Sequence, residues 1–402
     1  MKVMKKALVA GGLFLSLGSI SQAKITLETH GMLGVSYQHV SSSAVSVMSA
    51  VSADLGLTEN WFAGVGAIGM WRIWGSNGWN MSSGDVSSTY LAFHSSNKKL
   101  KMALGRYTLE RGPTALRTTD FIRGSVQGFS LQFSGVHTDL KALNYWFSYI
   151  NSTLNDGSMP GRIGSIMVGN SDYLTNKYKI GGEILLAGLD YKYKGIYISP
   201  WLLFNTRSPW ANGMIMQVGA KALYNVSMGG GWRSITSGNA IFQYDTSNPS
   251  PIGGFVNVDQ EFRYSRLTCC TARGNKYELW HASVGLGGLG SMVTNSRAIF
   301  QLKDSFRFYG YYVNGSNYFT GGNATGYIFG NYENRLFRVD ALAAFGNYDE
   351  YSLVGAYKIY RQSRNSDEGS VLGVDIGAGY VYSSAVASVT ANGFFAFVKL
   401  HF

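Results

Sequence analysis

The chain has 402 residues, of which 51 are Gly and only 6 Pro; aromatic and charged residues each make up 14%, and the formal net charge is +11. A charged fraction that far below the roughly 25% of ordinary soluble domains, at a mean hydropathy of only -0.01, argues for alternating strands over continuous apolar segments. The two cysteines, Cys269 and Cys270, are adjacent, which excludes a disulfide framework because neighbouring Cα atoms sit about 3.8 Å apart and disulfides prefer about 4.4–6.8 Å.

In chain order, Met1 to Ala23 has a basic start (Lys2, Lys5, Lys6), an apolar run from Ala7 to Leu17 and a small-x-small ending at Ser21-Gln22-Ala23. This is the pattern of an export signal, expected to be cut after Ala23, and its apolar run is too short to span a bilayer as a helix. Without its three lysines the net charge falls from +11 to +8. That excess suits an anionic lipid surface or a basic lumen, and no nucleic-acid fold signature accompanies it. No later apolar stretch reaches helical-span length, so an exported membrane protein of this sequence must cross as strands. Residues 24–402 show no linker or break in composition and are expected to form one domain.

The first strand alternates clearly. Ile25, Leu27, Thr29, Gly31, Leu33, Val35 and Tyr37 make a mostly apolar face, while Glu28, His30 and Ser36 lie on the other, as a period of two requires. Ala44–Leu57 alternates again, Thr58-Glu59-Asn60 reads as a tight turn, and Trp61–Met70 returns. A long connection is expected over Arg72–Ser88, then strands over Thr89–His94 and Leu100–Tyr107 around the turn at residues 95–99. Short turn, strand, long loop, strand is the rhythm of a hairpin array. Short turns are expected on the periplasmic side and longer connections outside.

Next come Gly105-Arg106, the run Leu109–Gly124 carrying Glu110, Arg111, Arg117, Asp120 and Arg123, and then Gly128-Phe129-Ser130-Leu131. Over the roughly 45 residues from Gly105 to Asn151 the sequence resembles the OprD-type porins of Gram-negative outer membranes. Those have a strand ending in Gly-Arg, an Arg-containing loop folded into the channel, and a strand opening on a Gly-Phe/Val-Ser-Leu segment. The resemblance implies that Leu109–Gly124 is a constriction loop. It makes Arg106, Arg111, Arg117 and Arg123 a basic track opposed by Glu110 and Asp120, and it favours 18 strands. The alternative for this stretch is an ordinary extracellular loop with solvated arginines. The high pI and loop style are similar to the Helicobacter-group outer-membrane members and assign no substrate.

Further strands are expected over Leu140–Asn151, Ile180–Leu189, Ile196–Asn205, Met214–Asn225, Trp232–Tyr244, Phe255–Ser265, Tyr277–Leu286, Arg297–Lys303 and Arg307–Val313. Leu267–Lys276 and Asn314–Thr325 read as loops. Arg335–Phe345, Tyr351–Tyr360 and Val371–Val381 continue the pattern, with a short turn at Asn347–Glu350 and a charged loop over Arg361–Glu368. At the end, Phe394, Ala396, Val398, Leu400 and Phe402 form an apolar face, with Lys399 and His401 on the other. This resembles the carboxy-terminal assembly signal of outer-membrane barrels.

The expected fold is an all-β, transmembrane, antiparallel up-and-down barrel of about 16–18 strands, at roughly 21–24 residues per strand and connection. A barrel of that size encloses an aqueous channel unless a loop plugs it. The function expected is an outer-membrane porin for small hydrophilic solutes and ions, with an anion or carboxylate preference. The expected partners are the lipid bilayer, the barrel-assembly machinery and those solutes, as a monomer or homotrimer, without nucleic acid, metal or cofactor. An adhesin displaying its outer loops is the alternative. A hydrolase is disfavoured, because none of His30, His39, His94, His137, His281 and His401 lies in a nucleophile or zinc motif.

Overall fold

The computed structural model describes residues 26–39, 43–75, 81–109, 111–112, 125–135, 143–154, 181–209, 211–268, 277–293, 299–300, 322–347, 349–362, 372–383 and 391–402. The proposed export signal and the Cys269-Cys270 pair lie outside these. The strands of the first half are β1 (Thr26–His39), β2 (Ser43–Gly56), β3 (Trp61–Gly75), β4 (Met81–His94), β5 (Leu100–Tyr107), β6 (Ser125–Ser134), β7 (Leu143–Leu154), β8 (Ile184–Tyr193) and β9 (Ile196–Asn205). The second half holds β10 (Ile215–Gly229), β11 (Trp232–Asp245), β12 (Ile252–Thr268), β13 (Tyr277–Val293), β14 (Asn323–Asn334), β15 (Phe337–Gly346), β16 (Glu350–Gln362), β17 (Leu372–Ser383) and β18 (Ala391–His401).

Each strand pairs antiparallel with its sequence neighbours, and β18 pairs with β1, so eighteen strands close into a ring. Closure is what permits strands to span lipid, since no row of backbone N–H and C=O groups is left open. At the seam Val35 faces Val398 and Leu33 faces Leu400. Gly31 and Phe402 exchange both backbone hydrogen bonds, at 2.8 and 3.0 Å.

The period-two faces sort as the sequence suggests. On β1, Leu27, Leu33, Val35 and Tyr37 are exposed on the outside, and Met32 and Ser36 are buried within. On β18, Phe394, Val398 and Phe402 face out, while Phe395, Phe397 and Lys399 face in. The exposed large side chains of the other strands are apolar in the same way, for example Leu104, Leu202, Val256 and Leu286. This apolar outer surface makes the molecule a transmembrane barrel. One polar cluster on that surface satisfies itself. Gln260 accepts from Thr236 (2.6 Å) and donates to Ser234 (2.8 Å).

Many glycines serve the strands themselves. An aromatic ring from the adjacent strand reaches over Gly31 (Phe402), Gly64 (Tyr90), Gly219 (Trp201), Gly285 (Phe329) and Gly377 (Phe397), each so close that a Cβ would collide with it. The rings cover backbone that would otherwise be exposed, a known device for glycine in sheets. Part of the joint excess of Gly and aromatic residues in the composition has this physical origin.

Several expected boundaries are corrected. β3 runs on to Gly75 and β4 begins at Met81, so the long connection expected over residues 72–88 shrinks to 76–80. β12 and β13 lengthen to Thr268 and Val293, and the turn expected around residues 191–195 is confined to Lys194-Gly195. Residues 299 and 300, expected within a strand over 297–303, belong to none; the strand expected over 307–313 lies outside the described residues. Connection length sorts the two rims imperfectly. The rim where β1 begins and β18 ends, called here the terminal rim, carries the turns at 57–60, 95–99, 194–195, 230–231 and 335–336, but also the longer 363–371. The opposite rim carries 108–124, 155–183 and 294–322, together with the short 40–42 and 347–349.

Candidate functional site: an off-centre lumen beside an inward loop

The two halves of the Gly-Arg and Gly-Phe-Ser-Leu signature meet across β5 and β6. Gly105 pairs with Gly128, Leu104 with Phe129 and Arg106 with Gln127. Gly105 has φ +118, and a Cβ there would lie 2.2 Å from the Thr89 carbonyl oxygen. At Gly128 it would lie 1.8 Å from the Tyr149 carbonyl oxygen. Neither position accepts another residue without moving its neighbour strand.

Just past this point the chain leaves the wall and doubles back inside the barrel. Leu109 is buried and Gly112 packs on Leu186 of β8. Arg111 donates from Nε to Asp190 Oδ2 (3.2 Å) and from Nη2 to Gln132 Oε1 (2.7 Å), and it lies over the Trp146 ring at 5.9 Å. Gln132 is the register partner of Lys101 near the start of β5. Thus the Arg111 side chain, four residues after Tyr107 at the top of β5, reaches back to the level of the second residue of that strand.

Asp190, 8% exposed, is the hub of this contact. Besides Arg111 it accepts from Ser199 Oγ (2.7 Å), Trp146 Nε1 (3.2 Å) and the Tyr197 hydroxyl (3.2 Å). Four donors on β7, β9 and the inward segment thus converge on one carboxylate, a geometry that holds charge in a buried site.

A second segment enters from the connection between β13 and β14. Ile299 and Phe300 are buried. The Phe300 N–H donates to Gln243 Oε1 (2.8 Å), and its carbonyl accepts from Gln217 Nε2 (3.0 Å). These residues and Leu109 join inward-facing side chains of β5 to β15, among them Trp201, Ile241, Phe255 and Tyr327, in one apolar cluster. Replacing Gln243 by leucine strips the Phe300 N–H of this acceptor. The change is expected to cost about 1–3 kcal/mol, read as a lower urea midpoint of the refolded barrel.

An open space lies to the other side. A polar cavity of about 740 Å³ is bounded by Ser52 and Asp54 of β2, Tyr90 and His94 of β4, Lys101 and Tyr107 of β5, and Arg111, Gln132, Asp190 and Tyr197. Tyr90 crosses Gly64 to donate to Asp54 Oδ1 (2.7 Å) two strands away. Lys101 is exposed to this space. Elsewhere in the lumen four carboxylates are engaged by cations, Glu261 by Arg263, Asp340 by Arg338, Glu333 by Lys358 and Asp375 by Lys399, while Asp259 accepts from Ser237 Oγ (2.7 Å).

Of the residues singled out from the sequence, Arg111 lines this cavity. Arg106 stands apart on the sheet face it shares with Leu104, donating to the Val86 carbonyl and to Gln127 Oε1 (3.3 Å). Glu110, Arg117, Asp120 and Arg123 lie outside the described residues. Asp190 was not anticipated. It is the one carboxylate in the apolar run of β8, a signal the sequence does carry, but a strand ended at Leu189 leaves it in the turn.

No protein-family model matches the sequence, and no curated protein matches it. Among solved structures, Acinetobacter baumannii OccAB3 aligns at TM-score 0.63 and 11% identity, over 94% of this chain and 99% of its own. Pseudomonas aeruginosa OprD aligns at 0.58 and 10% identity, over 95% and 99%. The fold is that of the OprD-type porins. The OprD fold also describes Pseudomonas aeruginosa OccK2, solved with glucuronate, which aligns at 0.61 and 11% identity over 93% of this chain and 97% of its own. At such identities the likeness is one of fold.

Proposed function

We propose that this OprD-fold barrel is a channel of the Gram-negative outer membrane, passing small hydrophilic solutes and ions by diffusion. The observation that carries the reading is the return of Arg111 into the barrel beside a polar cavity of about 740 Å³. An inward loop of this kind narrows the bore, and fixed charges at the narrowing bias what enters. The loop 109–124 is the proposed constriction, with Glu110, Arg111, Arg117, Asp120 and Arg123 as its charged positions and Arg106 at its root. Exposed Lys101 and the pairing of Asp190, Glu261, Glu333, Asp340 and Asp375 with cations support an anion preference, and with it a preference for carboxylated solutes. The glucuronate held by OccK2 is a solute of that class. The last strand, with Phe394, Val398, Leu400 and Phe402, is the proposed signal to the barrel-assembly machinery.

The test is single-channel recording of the refolded mature protein under unequal salt. Stable conductance steps with an anion-selective reversal potential are expected, moved toward cation selectivity by Lys101→Glu. A cation-selective native channel would remove the anion preference. A folded, heat-modifiable barrel without conductance would remove the channel reading, leaving display of outer loops as the better account.

A further inference from the structure

The outer surface near the terminal rim carries a continuous row of aromatic rings over five consecutive strands. Trp232 of β11 touches Tyr264 of β12 (centroids 5.1 Å apart), Tyr264 touches Trp280 of β13 (5.3 Å), Trp280 touches Tyr332 of β14 (5.9 Å), and Tyr332 touches Phe337 of β15 (5.4 Å). All five sit on the outward face, because Ile235, Glu261, Leu289, Phe329 and Asp340, at odd offsets from them on the same five strands, are buried inside. Rings with apolar bodies and polar tips settle where acyl chains meet headgroups.

Cations edge this row. Arg266 is exposed and is the register partner of Trp280, and Arg335 is exposed in the turn between Tyr332 and Phe337. Farther around the same rim, Lys98, Lys99 and Lys194 are exposed, with Lys194 over the outward Tyr193 ring at 5.1 Å. Against these five cations the terminal rim presents the exposed carboxylates Glu28, Glu59 and Glu278 among the described residues. Glu278 is itself 3.4 Å from His281. Aromatic rings fix this level at the headgroups, and the excess charge there is positive.

We infer that the terminal rim binds anionic phospholipid headgroups, with Arg266 and Arg335 taking the phosphodiester beside the Trp280–Phe337 end of the aromatic row. Planar guanidinium groups match phosphate oxygens in pairs, and the indole and phenol edges cover the glycerol side of the lipid. The inference concerns the outer surface and is independent of what passes through the lumen.

The experiment is native mass spectrometry of the full mature barrel released from detergent doped with equal phosphatidylglycerol and phosphatidylcholine. Preferential retention of phosphatidylglycerol is expected, falling about fivefold for each of Arg266→Gln and Arg335→Gln and partly preserved in the Arg→Lys pair. Inorganic phosphate should not displace the lipid. Conductance of the glutamine variants should match the native channel, which also shows that they fold. Equal retention of the two lipids by the native protein overturns the inference. So does undiminished retention by the folded Arg266→Gln/Arg335→Gln barrel, which would place the lipid elsewhere.

Discussion

Asp190→Ala is expected to loosen the inward loop and to lower the stability of the barrel at once. The carboxylate lies between Arg111, Trp146, Tyr197 and Ser199, and its removal strands a mostly buried guanidinium together with an indole N–H and two hydroxyls. Breaking a buried pair from one side costs about 3–5 kcal/mol, which a urea titration of the folded protein reads as a lower midpoint. Among the described residues Arg111 would keep only Gln132 and the Trp146 face as partners, so the segment it anchors would sample positions nearer the wall. Single-channel conductance should then rise and ion selectivity weaken. Asp190→Asn, which keeps the shape and loses the charge, should fall between alanine and native in both measurements. A lower midpoint with native conductance and selectivity would show that Asp190 props the wall without setting the bore.

The second large effect is expected at the seam. A Cβ at Gly31 would lie 2.1 Å from the Phe402 ring, so Gly31→Val must push that ring off the backbone it covers. Overpacking of this kind costs about 1–3 kcal/mol. Its effect on assembly is larger than the number suggests, because β1 with β18 is the pairing that removes both open edges together. The fraction of protein reaching the heat-modifiable form in vesicles should drop sharply for Gly31→Val and less for Phe402→Ala. Combining Gly31→Ala with Phe402→Leu should restore part of the loss, since the smaller side chain leaves room for the new methyl group. Native yields and midpoints for Gly31→Val would show that the ring moves freely and that closure is insensitive to this contact.

How much of this was legible depended on what a period of two can carry. On β1 and β18 one face meets lipid and the other a polar interior, so alternation alone placed Leu33, Val35 and Val398 correctly. It failed on β4, where Met81 to Ser88 is rich in Ser and Gly and reads as a loop. There, pairing with Trp71 and Met70 of β3 decides the conformation against local preference. It failed differently at Ile299 and Phe300, whose apolar character suits a lipid-facing strand equally well. Inside a barrel an apolar core and an acyl chain demand the same residues, and only the three-dimensional chain path separates them. Arg111 was singled out in the loop, but its partner Asp190 is 79 positions away. No local pattern links the two.

The lopsided filling of the lumen divides labour around the circumference. Among the described residues, the apolar cluster backs the wall from β5 to β15, while the water-accessible track follows β2, β4 and β5, which both share, with one edge on β6, β8 and β9. A solute moving along that track would read an eccentric sector of the cylinder. The ion pairs of β12 to β18 would then govern rigidity far more than traffic. Substitutions meant to change what passes belong in the first sector, and those meant to harden the scaffold belong in the other. Azimuth, more than depth, is the coordinate by which this barrel can be engineered.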